Sequence, residues 1–439
     1  MNSPLYMGRL KCLLRAISYA VLLSMLSPAL AHADSMTLKR AIEIGLSKSP
    51  DIQQLENQMD SAAAKMRLAL APSEPTLAIG WNDMTSPFNL TTTASNTFQI
   101  TQPIGFPGRA LLNRSQLSDQ EDALSYQLRG LTLQVSINIK QAFYALALAQ
   151  TNMKLNEDTR LAFERILAIA KRRYEGGQTT QVDYLNSQVA LLSNQNDLTD
   201  LQSAERVARS QLNVLLKNPP EAPLEIEPVK MVYYPKIALD EAISKMLEGR
   251  NEIKTARSQV NAADKAYKLA WMSVLPDFQL IAGTSFYRVP SASPYSSTPD
   301  ATATGSWPTH TYMAGVQFTV PIWFLFNERE TIVGASHDRA AADANLDVVY
   351  NQSKVALETV VDAANSTAIK IDNFEKHLLP LSEQSFNLAL VNYGSGKIDF
   401  QTLSDTASAR RAQRQAYAQA VTGYLTNYAT YGQLIGEDL

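Results

Sequence analysis

Apolar and polar positions alternate along this chain with two distinct periods, and the switches between them mark its elements. No proline falls between Pro107 and Pro219, and apolar residues recur at Leu124, Leu128, Leu131, Val135, Ile139, Ala142, Leu146, Ala149 and Met153. Eight steps cover 29 positions (153 − 124), about 3.6 residues each, which is the pitch of a straight α-helix rather than the 3.5 of a supercoiled one. A second stripe, Leu133, Ile137, Tyr144 and Leu148, lies on another face, so this helix has two helical neighbours, as in a bundle or a ring of helices. Only Arg129 and Lys140 carry charge between Ala123 and Met153. The spacing predicts a helix over 109–173, roughly 95–100 Å long at 1.5 Å per residue.

Four shorter segments alternate with period two. The first sets Leu77, Ile79 and Trp81 against Thr76, Ala78, Gly80 and Asn82; the second sets Phe98 and Ile100 against Gln99 and Thr101. The third sets Leu280, Ala282 and Phe286 against Gln279, Gly283 and Ser285. The fourth sets Tyr312, Ala314, Val316, Phe318 and Val320 against Met313, Gly315, Gln317 and Thr319. A half-buried sheet in a soluble protein shows the same alternation. Three details favour strands that cross a membrane. Each segment approaches the roughly 9–11 residues that a tilted spanning strand needs. All four tryptophans, Trp81, Trp271, Trp307 and Trp323, lie in or beside these segments, and Trp81, Trp307, Tyr312 and Trp323 are candidates for an interfacial aromatic girdle in contact with lipid. The connecting stretches "MTSPFNLTTTASN" and "RVPSASPYSSTPDATATGSWPTH" are rich in Ser, Thr and Pro and suit water. Four strands cannot close a barrel, and an open edge in lipid leaves backbone groups unsatisfied. Several chains must then share one barrel. Two copies would supply about eight strands and a lumen filled by side chains; three would supply about twelve and leave a pore.

The elements come twice. Leu38, Ala41 and Ile42 are answered by Leu239, Ala242 and Ile243, at an offset of 201 that also carries Ile52 to Ile253 and Pro75 to Pro276. "FQITQPI" from Phe98 is answered by "VQFTVPI" from Val316, at offset 218. "RRYEGGQTTQVDYLNSQ" from Arg172 is answered by "NYGSGKIDFQTLSD" from Asn392, with Tyr174 and Tyr393 219 positions apart. Each copy reads helix, β-hairpin, very long helix, turn, helix. After a signal peptide at 1–33, the first repeat covers 34–217, with a hairpin at 75–106, a long helix at 109–173 and a helix at 179–217. A Pro-rich linker follows at 218–236, holding five prolines from Pro219 to Pro235. The second repeat covers 237–439, with a hairpin at 276–324, a long helix at 328–392 and a helix at 398–435. Pro380 should kink that second long helix. Gly176 and Gly177 in one turn, Gly394 and Gly396 in the other, break the helices because glycine tolerates a left-handed helix end. An ordinary helical hairpin turn would read the same way.

Charge narrows the choice. The net charge is −3, only 18% of the residues are charged, and no basic stripe suggests nucleic acid. Arg9, Lys11 and Arg15 precede an apolar run from Ala16 to Leu26 and small-residue sites at Ala29–Ala31 and Ala31–Ala33, the pattern of an export signal cleaved near Ala31 or Ala33. The one cysteine, Cys12, precedes that run, so the mature chain has no disulfide. The four histidines, His32, His310, His337 and His377, are scattered and suggest no metal site. No phosphate-cradling loop, nucleophile elbow or HExxH is present, and neither an enzyme nor a cofactor is expected.

The duplicated plan, the strand hairpins and the two turn phrases together resemble the TolC family of outer-membrane efflux and secretion ducts, over nearly the whole mature chain. The resemblance implies a mainly α protein with a transmembrane β-barrel: a homotrimer in which twelve strands, about four per protomer, form the barrel and twelve helices continue it as a periplasmic tunnel. It implies an outer-membrane location with a large periplasmic part. It also implies partners: a periplasmic adaptor (membrane fusion protein) and an inner-membrane transporter of the RND type that supplies the energy. The turns at Tyr174, Gly176, Gly177, Gly394 and Gly396 would dock the adaptor and close the pore. The carboxylates that ring the family's constriction correspond to Asp405 and, where the earlier acid would stand, Thr402. Tip closure in the family joins a tyrosine, an arginine and an aspartate. Tyr393 and Asp183 match two of these; the arginine position is Ile398, with Lys397 adjacent. "QPIGFPGR" is similar to Phe-Pro-Gly-basic turns of the heavy-metal branch, though Pro107 and Gly108 also suit a strand-to-helix elbow. Heavy-metal cations or small toxic compounds are the expected cargo. The alternatives are a duct for type I protein secretion or drug efflux and, in another class, a soluble periplasmic coiled-coil scaffold.

Overall fold

The computed structural model describes residues 35–82, 95–228, 234–287, 309–319, 322–323 and 326–439. The signal peptide, both hairpin connections, part of the linker and Trp307 lie outside the described residues. Among the described residues, nine α-helices and four strands follow the order α1 (Leu38–Ser47), α2 (Pro50–Leu68), β1 (Thr76–Asn82), β2 (Ser95–Ile104), α3 (Arg109–Glu175), α4 (Gln181–Leu215), α5 (Leu239–Gly249), α6 (Asn251–Met272), β3 (Asp277–Tyr287), β4 (Thr309–Thr319), α7 (Glu328–Asn373), α8 (Leu379–Gly394) and α9 (Phe400–Ile435).

Two local differences from the sequence reading have backbone causes. The helix expected before each hairpin is two helices. Pro50 opens α2 and has no N–H to continue α1, and Ser49 before it is extended (φ −72°, ψ 116°). In the second copy Arg250 makes the same break (φ −61°, ψ 122°) without a proline. The helix expected over 328–392 is interrupted by a π-helical turn, Phe374–Leu378. There the Leu379 N–H reaches the Phe374 carbonyl, five residues back. Pro380 explains the widening: it offers no N–H to the carbonyl four residues earlier and its ring crowds that oxygen.

The chain divides into two compact units. The first contains the described residues up to 47, 139–228 and 383–418. Its core gathers Phe163, Ile166 and Ala170 of α3, Phe386, Ala389 and Tyr393 of α8, and Phe400, Leu403 and Ala407 of α9. A buried polar pair joins α3 to α4. Asn194 Nδ2 donates to Asn156 Oδ1 at 2.6 Å, and Asn156 Nδ2 donates to the Asn194 carbonyl at 3.2 Å. These two bonds form in one helix register only, and the buried Asn194 Oδ1 is left without a partner. Three arginines of α9 add charge pairs. Arg410 and Arg414 reach Glu383 at 2.6 and 2.9 Å, and Arg411 reaches Asp197 at 2.7 Å. Burial alone would raise the Glu383 carboxyl, but Arg410 and then Arg414 outweigh it and hold it below its ordinary range.

The second unit contains the described residues of 48–138, 234–382 and 419–439, and it holds the sheet. Its core packs Ala242 and Met246 of α5, Ile253 of α6, Leu357 and Val361 of α7, and Tyr431, Leu434 and Ile435 of α9. The strands pair antiparallel in the order β1-β2-β3-β4. Ile79 lies opposite Phe98, Phe98 opposite Thr284, Leu280 opposite Val316 and Phe278 opposite Phe318. Because side chains alternate, this register collects Leu77, Ile79, Phe98, Ile100, Leu280, Val316 and Phe318 on one face. Thr76, Thr97, Gln99, Thr101, Gln279, Ser285, Thr311 and Gln317 line the other. Arg109 ties the strand-to-helix elbow to the start of β3: Nη1 lies 2.5 Å from Asp277, and Nη2 donates to the Met272 carbonyl at 2.6 Å. The Asp277 carboxylate also accepts the Phe106 N–H at 3.3 Å.

Candidate functional site

Two places depart from what a self-contained soluble fold does. The first is the apolar face of the sheet. Leu77 is 65% exposed, Val316 63%, Phe318 60% and Tyr312 85%. A half-buried soluble sheet would cover such a face with a helix or a second sheet. Trp81 and Trp323 are also exposed, at 44% and 64%. The outer edges of β1 and β4 have no strand beside them among the described residues. Among those residues, too, no helix is long and apolar enough to cross a membrane.

The second is the pair of helical turns, both in the first unit. Their backbones match atom for atom. In the first, Gly177 N–H reaches the Tyr174 carbonyl at 2.9 Å and Gln178 N–H reaches that of Arg173 at 2.7 Å. In the second, Gly396 N–H reaches Tyr393 at 3.0 Å and Lys397 N–H reaches Asn392 at 2.9 Å. This is the glycine-terminated helix end with a five-residue return bond. It requires a left-handed residue at one position, filled by Gly177 (φ 67°) and Gly396 (φ 79°). Gly176 and Gly394 do not have positive φ, and Gly394 is the last residue of α8. The left-handed turn therefore needs one glycine each, not the two proposed from sequence. The next helices start on side-chain caps. Thr180 Oγ1 accepts the Asp183 N–H at 3.2 Å, and Asp399 Oδ1 accepts the Thr402 N–H at 2.9 Å.

The turn side chains part company. Tyr174 is 40% exposed and stacks on Tyr184, ring centroids 5.7 Å apart. Tyr393 is fully buried against Phe400. Arg173 lies over the Tyr393 ring, 4.7 Å from its centroid. Its Nη1 donates to the Tyr393 carbonyl at 2.8 Å, and its Nη2 to the Gln178 carbonyl at 3.1 Å. The Tyr393 hydroxyl is near the guanidinium but has no hydrogen-bond partner. Burial pushes its phenol up; the Arg173 charge pulls it down and the Asp183 charge raises it further. Asp183 takes a hydrogen bond from the Thr179 hydroxyl instead. Lys397 is exposed, and Ile398 is half-buried against the core of the unit. Arg173, Gln178, Thr179, Thr180, Asp183, Lys397, Asp399 and Thr402 surround one open hollow of about 590 Å³. Asp405 and Thr402 are exposed on the first turns of α9, and Gln401 Nε2 donates to the Asp405 carboxylate at 2.8 Å. Among the described residues no group of three His, Cys, Asp or Glu is placed to hold a metal ion.

Arg173 is the residue that sequence reasoning passed over. Basic residues in the last turn of a helix are a common signal, and "RRY" carries two. Which one turns inward depends on helical phase at the end of α3. Arg172 is exposed and Arg173 half-buried.

A bare apolar sheet face in a chain of long helices suits a membrane protein whose strands meet the lipid. A family model described as outer membrane efflux protein matches residues 41–216 and 242–437. The chain belongs to the outer membrane efflux protein family. That places it in the outer membrane, among channels. VceC from Vibrio cholerae has the same fold, with a TM-score of 0.74 at 16% identity, covering 91% of this chain and 96% of that one. The CusC structure gives 0.74 at 15%, covering 91% and 92%. The outer membrane channel CmeC of Campylobacter jejuni gives 0.70 at 16%, covering 91% and 85%. No curated protein sequence matches the chain. At these identities the efflux-protein likeness is one of fold, and it accounts for the bare sheet face and the open strand edges together.

Proposed function

We propose that this efflux protein is the passive outer-membrane duct of a tripartite system. Three copies complete a twelve-stranded barrel, and their helices form the tunnel that receives cargo from an inner-membrane RND-type transporter through a periplasmic adaptor. The two repeats, 34–217 and 237–439, joined by the linker at 218–236, each supply one hairpin and one helical turn, after cleavage of the signal at 1–33. The observation that carries this reading is the apolar face of the four-stranded sheet, exposed and in register across the strands, with an edge at either end that no strand among the described residues pairs with. In lipid each unpaired backbone group costs several kcal/mol, so the edge of one copy must meet that of the next. The face supplies the lipid contact; the Thr- and Gln-rich face lines the water.

Heavy-metal cations or small toxic compounds are the cargo class we favour. The turns dock the adaptor, and Asp405 lines the constriction. Three carboxylates on a three-fold axis repel one another and attract cations. The test is current across a planar bilayer. The purified protein should form conducting trimers, and Asp405→Ala should raise conductance and weaken block by divalent cations. Material that stays monomeric in detergent and never passes current sinks the duct; unchanged block in a conducting Asp405→Ala channel removes that residue from the gate.

A further inference from the structure

The apolar side of the sheet continues past the strands. In the antiparallel register Thr76 of β1 lies opposite Thr101, Ile104 of β2 opposite Phe278, and Asp277 of β3 opposite Thr319 of β4. The end of α2, the start of α3, the end of α6 and the start of α7 therefore join the sheet at one end. Ile104, Phe278 and Phe318 form the last row of the apolar face there.

These four helix ends share a pattern. Each exposes an apolar side chain near the sheet and a cation three residues further from it: Leu68 and Lys65 on α2, Leu111 and Arg114 on α3, Trp271 and Lys268 on α6, and Phe326, in the turn that opens α7, with Arg329. All four apolar members are more than half exposed. Because α2 and α6 run toward the sheet while α3 and α7 run away from it, the order along the chain reverses and the order in space does not. Residues three apart share a helix face, and three residues rise about 4.5 Å. Among the described residues Lys65 and Arg114 have no ion-pair partner. Lys268 pairs with Asp264 at 2.6 Å and Arg329 with Glu330 at 2.8 Å, both at the surface. Such exposed pairs are weak, so a phosphate can take the place of the carboxylate.

Resting on the duct reading, we propose that this collar is a headgroup site. Its apolar members sit among the acyl chains of outer-membrane lipid, and Lys65, Arg114, Lys268 and Arg329 bind the phosphates of the leaflet on the helix side, with a preference for anionic phospholipid. A leaflet offers hydrocarbon and then phosphate, and the couples present an apolar group and then a cation in the same order. The indole of Trp271 suits that boundary too.

The test uses the purified protein in vesicles of phosphatidylcholine with and without phosphatidylglycerol. Trp271, left as the sole tryptophan by Trp81→Phe, Trp307→Phe and Trp323→Phe, should be quenched by lipids brominated near the headgroup and less by lipids brominated at the chain ends. An unquenched Trp271 faces water or protein, and overturns the collar. Spin-labelled phosphatidylglycerol should associate with the wild type about threefold more than spin-labelled phosphatidylcholine, and added salt should shrink that preference. Lys65→Gln, Arg114→Gln, Lys268→Gln and Arg329→Gln together should bring the ratio to about one. A wild-type ratio of about one, or a preference that the four glutamines leave intact, overturns headgroup binding. Current separates the two readings. A conducting protein without the preference keeps the duct and loses the collar; one with the preference that never passes current keeps the collar and loses the duct.

Discussion

The two helical turns are built on one backbone plan and used in two ways. Each ends a long helical run on a left-handed glycine with the same pair of return hydrogen bonds, and each starts the next helix on a side-chain cap. Yet Tyr174 lies outside, stacked on Tyr184, while Tyr393 is sealed under Arg173. The backbone conformation is dictated locally, by glycine and a capping oxygen, and so it is the same in both copies. What the side chains do is dictated by neighbours far away in sequence. The arginine that buries one tyrosine stands 220 positions before it (393 − 173).

The sharpest way to break this comparison is to truncate both tyrosines. Tyr393 fills the first unit's core, and Tyr393→Ala should cost about 3–5 kcal/mol, as removal of a buried aromatic side chain does. Tyr174→Ala removes a half-exposed ring and should cost less than about 1 kcal/mol. Thermal unfolding of the detergent-solubilised protein measures both. Equal losses would mean that Tyr174 is also covered, as it would be if a partner surface packed on the first turn.

Next in size are the glycines. Gly396→Ala forces a Cβ into a left-handed residue, at about 1–2 kcal/mol, and the new atom would meet Arg173 Nη2 at an ordinary contact distance of 3.4 Å. Gly177→Ala has the same backbone problem with nothing near the new atom, so it should cost about as much. Gly394→Ala is the control. With no positive φ and open space around it, alanine should be neutral or stabilising by up to about 1 kcal/mol. A costly Gly394→Ala would show that the second turn changes shape in use.

The same contrast explains what was legible in the sequence. Period and register signals are local, and they located the long helices, the four strands and the apolar face of the sheet. Even Pro380 announced a disturbance, which the chain resolves as a π-turn rather than a simple break. The pairings Asn156–Asn194 and Glu383 with Arg410 and Arg414 were not legible. Each depends on the rotation of one helix against another, which no single-chain periodicity reports. Arg173 belongs with them. The motif proposed for tip closure pointed to Tyr393 and Asp183, but their side chains have no hydrogen bond between them here: the Tyr393 hydroxyl has no partner, and the Asp183 carboxylate accepts the Thr179 hydroxyl. Whether Asp405 meets its copies is a question of assembly, and a single chain carries no signal for it beyond its place on α9.

The smallest expected effect separates the two caps by chemistry. Thr180 caps α4 with a hydroxyl that does not titrate, whereas Asp399 caps α9 with a carboxylate. Hydrogen bonds from Thr402, through its hydroxyl and then its backbone N–H, hold the Asp399 carboxyl below its ordinary range. A group whose folded value is depressed stabilises the folded form above its unfolded value, near about 4, and loses that contribution as pH falls through the folded value. Acid should therefore loosen the second turn first. Hydrogen exchange at the Thr402 amide, expressed as protection relative to the Asp183 amide, should fall below about pH 4 while the ratio holds steady above it. Taking the ratio removes losses that both caps share, such as the loosening of the unit as Glu383 gives up its arginines. Asp399→Ser, which replaces the carboxylate by a hydroxyl, should abolish the pH dependence and keep the cap. If both amides lose protection in step, the second turn has no acid sensitivity of its own, and the two caps are equivalent in chemistry as well as in backbone.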